Sequence, residues 1–181
     1  MTILLNINEL KGLINKGDTG ILFCFGTSFI SRMIQLKTRL NDEEIVPSHV
    51  AMIVDGSFLY ESTSMPDKLS TKTIPAGVRR YKLQDFYRIE KGKSTKYYFL
   101  PYDNIDMDKL ETYVHYPYGK DTILDFILKD GSDGVSKGLI CSQYANRVTG
   151  LLEQDCPSPA VMYRKALTFE EQLDDSIKDD K

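Results

Sequence analysis

Two apolar runs, His49-Val50-Ala51-Met52-Ile53-Val54 and Phe58-Leu59-Tyr60-Glu61-Ser62, flank Asp55-Gly56-Ser57. Asp-Gly between apolar runs is a strong short-range hairpin signal, so the pattern predicts paired strands at 49–54 and 58–62. Ile21-Leu22-Phe23-Cys24-Phe25 is a continuous apolar run of the kind buried on both faces of a sheet. Val78 to Leu83 alternates in strand fashion, and Lys96 to Leu100 forms a further strand stopped by Pro101.

Helical spacing predicts the remaining elements. Residues 6–15 put Ile7, Leu10, Leu13 and Ile14 on one face, with Asn6 or Asn8 as a cap. Behind Gly26-Thr27-Ser28, a helix over 28–39 has Phe29, Met33, Ile34 and Leu36 on its apolar side and Arg32, Lys37 and Arg39 on its wet side. Further helices are expected over 106–114, started by an Asp that suits the helix dipole, and over 121–129, where Ile123, Leu124, Phe126, Ile127 and Leu128 are apolar. Ile140, Tyr144, Ala145, Val148, Leu151 and Leu152 recur at helical spacing after a glycine-rich loop, and 168–177 reads as a last amphipathic helix before a charged tail expected to fray. The Ser-, Thr-, Lys- and Pro-rich stretch 62–77 reads as a long surface loop, Leu83-Gln84-Asp85-Phe86 as a turn, and Leu152 to Pro159 as a loop. Asp130-Gly131-Ser132-Asp133-Gly134 lacks the downstream glutamate of a calcium loop and reads as a linker. No repeat or domain boundary interrupts the 181 residues, so 1–181 is expected to be a single domain.

Composition changes this picture mainly by exclusion. A net charge of −3 gives no overall attraction to nucleic acid or anionic lipid. The three cysteines, Cys24, Cys141 and Cys156, include no CxxC pair and are joined by only two histidines, so neither a disulfide framework nor a zinc site is signalled. No metal or other cofactor is expected. No apolar run is long enough for a membrane span and the N-terminus has no signal-peptide pattern, so the expected setting is cytoplasmic.

The candidate chemistry begins in the hairpin. A histidine opens its first strand and a carboxylate stands near the end of the second, and a hairpin centred on Gly56 makes them cross-strand neighbours, roughly 5 Å apart at Cβ. A glutamate at that distance fixes one imidazole nitrogen and leaves the other free as a base. A nucleophile is expected at Cys141, in the first turn of its helix, where unpaired N–H groups and the dipole favour a thiolate and can hold an oxyanion. Cys24 reads as a small core hydrophobe, Cys156 has no helix start to activate it, and His115 reads as a helix C-terminal histidine favoured by the dipole.

The order His49, Glu61, Cys141 resembles the circularly permuted, papain-like thiol hydrolases related to the NlpC-type cell-wall endopeptidases and the lecithin:retinol acyltransferases. The likeness is carried by Gly17-Asp18-Thr19-Gly20-Ile21-Leu22, Ser48-His49-Val50-Ala51-Met52-Ile53-Val54, Tyr60-Glu61-Ser62, Tyr118-Gly119-Lys120-Asp121 and Pro159-Ala160, and so spans most of the chain. It implies an α+β, papain-like fold with a central antiparallel sheet packed against helices. It also implies a Cys141-His49-Glu61 triad that forms a thioester acyl-enzyme, with Ser48, Tyr118 and Ser142 beside the substrate and the 62–77 loop along its groove. A glutamate as third residue departs from branches that use histidine there, and tilts the expectation toward amidase or peptidase chemistry on a peptide or amino-acid amide. A lipid acyltransferase or phospholipase with the same triad, taking an acyl-lipid substrate, and a binding module without turnover stay open as alternatives.

Overall fold

Strand alternation sorts one sheet's side chains into two cores. In a computed structural model, which describes residues 3–27, 29–38, 45–69, 71–119 and 138–179, β1 (Gly20–Phe25) is buried at every position, as its unbroken apolar run requires. It pairs antiparallel with β2 (His49–Val54) and with β7 (Lys96–Pro101). β2 continues into β3 (Phe58–Thr63), and β3 pairs with β6 (Gly77–Lys82), giving a five-stranded antiparallel sheet in the order β6-β3-β2-β1-β7.

The hairpin turn forms because Asp55 and Gly56 both adopt positive φ, 54° and 57°. Its tip docks on the preceding turn: Gly56 N–H donates to Asp18 O at 2.6 Å and Gly17 N–H to Asp55 O at 3.2 Å. A Cβ on Gly56 would lie 1.8 Å from Asn15 O, so no other residue fits there without moving that turn.

One sheet face carries Ile21, Phe23, Phe25, Val50, Met52, Tyr60 and Val78. It is covered by α4 (Met107–Thr112), α5 (Cys141–Thr149) and α6 (Pro159–Asp179), through Leu110, Tyr144, Ala145, Val148, Met162 and Ala166. Full burial of Leu110 or Val148 contributes about 1.5–3 kcal/mol each. The opposite face carries Leu22, Cys24, Ala51, Ile53, Leu59 and Tyr81, and packs on Ile7 and Leu10 of α1 (Ile7–Leu13) and on Leu83, Phe86 and Tyr87 of α3 (Leu83–Glu90). Asn6 caps α1, its side chain accepting from the N–H groups of Asn8 and Glu9 while the Glu9 carboxylate accepts from Asn6 N–H. The result is an α+β fold with a central antiparallel sheet between helices.

Several expectations are corrected. The stretch read as a turn at 83–86 is the start of α3, because Leu83, Phe86 and Tyr87 share a helical face that closes the second core. The 62–77 loop contains a small two-stranded sheet, β4 (Asp67–Lys68) with β5 (Thr73–Ile74). The last helix starts at Pro159, well before 168, with Ser158 Oγ accepting from Val161 N–H at 3.2 Å, and it runs through Asp179 in the stretch expected to fray. In α2 (Phe29–Thr38) Ile34 is buried, but Leu36 is 70% exposed and does not serve the core. Leu13 is likewise 49% exposed. The side chains of Phe29, Met33 and Lys37, together with Arg39, the helix expected at 121–129 and the linker at 130–134, lie outside the described residues.

Candidate active site

β2 and β3 meet in the register Ala51↔Glu61, which makes His49 and Glu61 diagonal neighbours on the same face of the hairpin. His49 Nε2 donates to Glu61 Oε2 at 2.6 Å. That leaves Nδ1 as the ring nitrogen available to Cys141, with which His49 also shares a hydrogen bond.

Cys141 reaches this imidazole from the other side of the sheet. α5 packs Tyr144, Ala145 and Val148 against Val50, Met52 and Tyr60, so its first residue arrives where β2 begins. The approach is fixed by backbone. Leu139 N–H donates to Pro117 O at 3.0 Å, Leu139 forms a parallel bridge with Tyr118, and Ser62 Oγ donates to Leu139 O at 2.5 Å. A Cβ on Gly138 would stand 2.5 Å from Pro117 O, so only glycine lets these two segments lie so close. The Gln143 side chain accepts from Ile140 N–H at 3.2 Å, starting the helix, and Gly150 ends it at φ 60°.

Electrostatics couple the three groups. Burial opposes charge on His49, yet the adjoining Cys141 sulfur and Glu61 carboxylate outweigh it and raise the imidazole from 6.5 to about 10. Burial likewise pushes the Cys141 thiol up, but the charge and hydrogen bond of His49, helped by the backbone at Val50 and Ser142, leave it below its ordinary 9.0. Glu61 is buried, which favours its neutral form, and the bonds from His49, Arg79 and Tyr81 instead hold it well below the usual carboxylate range. These directions describe a thiolate–imidazolium pair with an ionised carboxylate behind it.

The carboxylate is more elaborately held than the sequence suggested. Its Oε1 accepts from Arg79 Nε at 3.0 Å, from Arg79 Nη2 at 2.6 Å and from Tyr81 OH at 2.6 Å. Arg79 Nη2 also binds Asp67. Sequence reasoning missed Arg79, Tyr81 and Asp67 in this role. The available signal was the alternation at 78–83, which puts Arg79 and Tyr81 on one face. What was lacking was the pairing of that strand with β3, where Glu61 stands opposite Arg79.

The site opens into a cleft of about 640 Å³ whose walls include Cys141, His49 and Glu61 together with Ser48, Tyr118 and Ser142, all six of the residues singled out from sequence. Their engagement differs. Ser48 Oγ accepts from Gly26 N–H at 3.3 Å and so serves the end of β1. Tyr118 is half-buried, and burial, reinforced by the nearby Cys141 charge, raises its phenol and keeps it a neutral donor. Ser142 Oγ is buried without a hydrogen-bond partner among the described residues. Cys24 also lines the cleft, but burial followed by the charges of Glu90, Glu61 and Cys141 pushes its thiol well up, in keeping with a core role. His115 is exposed at φ 77°, past the end of α4 rather than at its last carbonyls, and is absent from the cleft wall. Among the described residues no cluster of three or more His, Cys, Asp or Glu side chains is arranged to hold a metal ion, and no helix is long and apolar enough to cross a membrane.

No family model matches the chain, and no curated protein or solved structure matches it at a significant level. The functional reading therefore stands on the residues and their geometry.

Proposed function

We propose that this chain is a cysteine hydrolase of the permuted papain-like kind, cleaving an amide bond in a peptide or amino-acid amide. The observation that carries the reading is the chain of contacts from Cys141 through His49 to Glu61, with Nε2 of the imidazole 2.6 Å from the carboxylate. In the proposed mechanism the Cys141 thiolate attacks the carbonyl carbon and the carbonyl oxygen becomes an oxyanion facing the N–H groups at the start of α5. The His49 imidazolium passes its Nδ1 proton to the departing amine, leaving a thioester on Cys141. Neutral His49 then takes a proton from water, whose hydroxide attacks the thioester. The acid leaves, and the proton on His49 restores the ion pair. Glu61 stays ionised throughout and keeps Nε2 of His49 occupied.

An ester-linked acyl group is the second reading, favoured by the apolar part of the cleft wall at Ile34, Phe86 and Ile89. Both readings are tested by incubating the protein with a panel of amino-acid and peptide nitroanilides beside nitrophenyl esters of increasing chain length. The amide reading expects turnover of at least one anilide and a mass increase on Cys141 equal to the acyl group, both lost in Cys141→Ala. Turnover confined to long-chain esters transfers the assignment to the second reading. Turnover retained in Cys141→Ala overturns both.

A further inference from the structure

An imidazolium 2.6 Å from a buried carboxylate has an alternative state, in which the proton crosses to oxygen and both groups become neutral. That state removes the imidazolium that Cys141 needs. Something must therefore make Glu61 a poor base, and the donors on Oε1 do so. Two of them belong to the Arg79 guanidinium, which cannot lose its proton and whose fork matches a carboxylate. The Arg79 side chain is 5% exposed, so water does little to dilute its charge. The same guanidinium reaches the cleft wall, with Nη2 on Asp67 and Nη1 directed at the carbonyls of Met65, Ile74 and Pro75 at 3.4, 3.5 and 3.2 Å.

We propose that Arg79 is a positioning residue for the Cys141–His49 pair, filling Oε1 of Glu61 so that Oε2 faces Nε2 of His49 while anchoring Met65 and Asp67 of the cleft wall to the same carboxylate. The inference rests on the thiol-hydrolase reading above. The groups around Glu61 are His49 on β2, Arg79 and Tyr81 on β6, Cys24 on β1, Cys141 on α5 and, through Arg79, Asp67 on β4. Without Arg79, the carboxylates of Glu61 and Asp67 have no guanidinium between them, and Glu61 keeps only Tyr81 on Oε1. The Nε2 proton then moves to Oε2, His49 becomes neutral, and the Cys141 sulfur regains its proton from solvent.

The test is the pH profile of Cys141 carboxymethylation by iodoacetamide, read by mass spectrometry on the full chain and accompanied by circular dichroism. Arg79→Met is expected to raise the midpoint by about one pH unit or more, the scale of losing an opposite charge at close range. Arg79→Lys, which restores the charge without the fork, is expected to recover most of that shift. A purely structural role moves the two variants alike, since neither can hold Asp67 and the three carbonyls together. Equal shifts in Met and Lys therefore overturn the proposal, as does an unmoved midpoint in folded Arg79→Met. If Arg79→Met does not fold, the double variant Arg79→Met/Asp67→Asn removes the orphaned charge, and the same upward shift is expected from it. An unmoved midpoint there also overturns the proposal. His49→Ala in parallel separates the two levels: if it moves the midpoint and the Arg79 variants do not, only the Arg79 inference fails, whereas an unmoved midpoint in His49→Ala removes the triad itself.

Discussion

Cys141 and Cys24 share one cleft yet stand in opposite electrostatic settings. His49 and backbone N–H groups offset the burial of Cys141, whereas burial and the charges of Glu90, Glu61 and Cys141 all act against a thiolate at Cys24. Near neutral pH, iodoacetamide should therefore modify Cys141 well before Cys24, as competitive labelling and mass spectrometry can measure. Faster labelling of Cys24 would misplace the nucleophile. Glu61→Gln keeps the shape of the residue but removes the charge that faces His49 and Arg79, so it should stay folded and raise the alkylation midpoint of Cys141. An unshifted midpoint would make Glu61 a bystander. His49, Glu61 and Cys141 were legible because each occupies a position whose meaning is local: a strand start, its paired strand and a helix start. Arg79 and Tyr81 were not, because their role exists only once β6 is laid beside β3.

Elements were legible where punctuation agrees with periodicity. Asp55-Gly56 closes the hairpin and Asn6 caps α1, and both elements form where the pattern puts them. α3 escaped because β6 runs into it without a glycine or proline and Lys82 makes no side-chain cap. The start of α6 was marked by Ser158 and Pro159, a capping serine followed by proline at the first helical position, which a loop-like composition at 152–159 disguised. Leu36 and Leu110 show the limit of periodicity, since both suit a helix face but only Leu110 is buried, against α5. Leu110→Ala should accordingly cost about 2–5 kcal/mol in urea unfolding, while Leu36→Ala should stay within about ±0.5 kcal/mol. Comparable losses would contradict the packing described for α2.

Across the whole molecule, the two cores hold β2 and β3 from both faces while the reactive groups gather at one end of the sheet. Folding stability should carry their signature in its pH dependence. Glu61, depressed from 4.5, contributes stability that is present above pH 4.5 and lost as pH falls toward its folded value. His49, raised from 6.5 to about 10, contributes stability that is full below pH 6.5 and lost as pH rises to 10. The thiol of Cys141, lowered from 9.0, has the opposite slope, its contribution growing up to pH 9.0. From the pH at which the folded thiol has ionised up to 9.0, the folded pair and the unfolded pair each hold one proton, so these two slopes cancel over that range. Urea midpoints should therefore fall in acid below 4.5, run level up to 9.0 once the folded thiol is ionised, and decline from 9.0 to 10. A decline that continues from 6.5 to 10 with no level run below 9.0 would mean that Cys141 and His49 do not share a proton.

That shared proton is the centre of the account, and the thiolate can be observed directly through its ultraviolet absorbance. Titrating wild type against Cys141→Ala isolates the signal of one sulfur, and repeating the pair in a His49→Ala background removes its partner. The account predicts a Cys141 thiolate already formed below pH 9.0 in the presence of His49, and a transition moved up to 9.0 or above in its absence, where only the backbone at Val50 and Ser142 still opposes burial. A Cys141 transition at or above 9.0 in both backgrounds would contradict it.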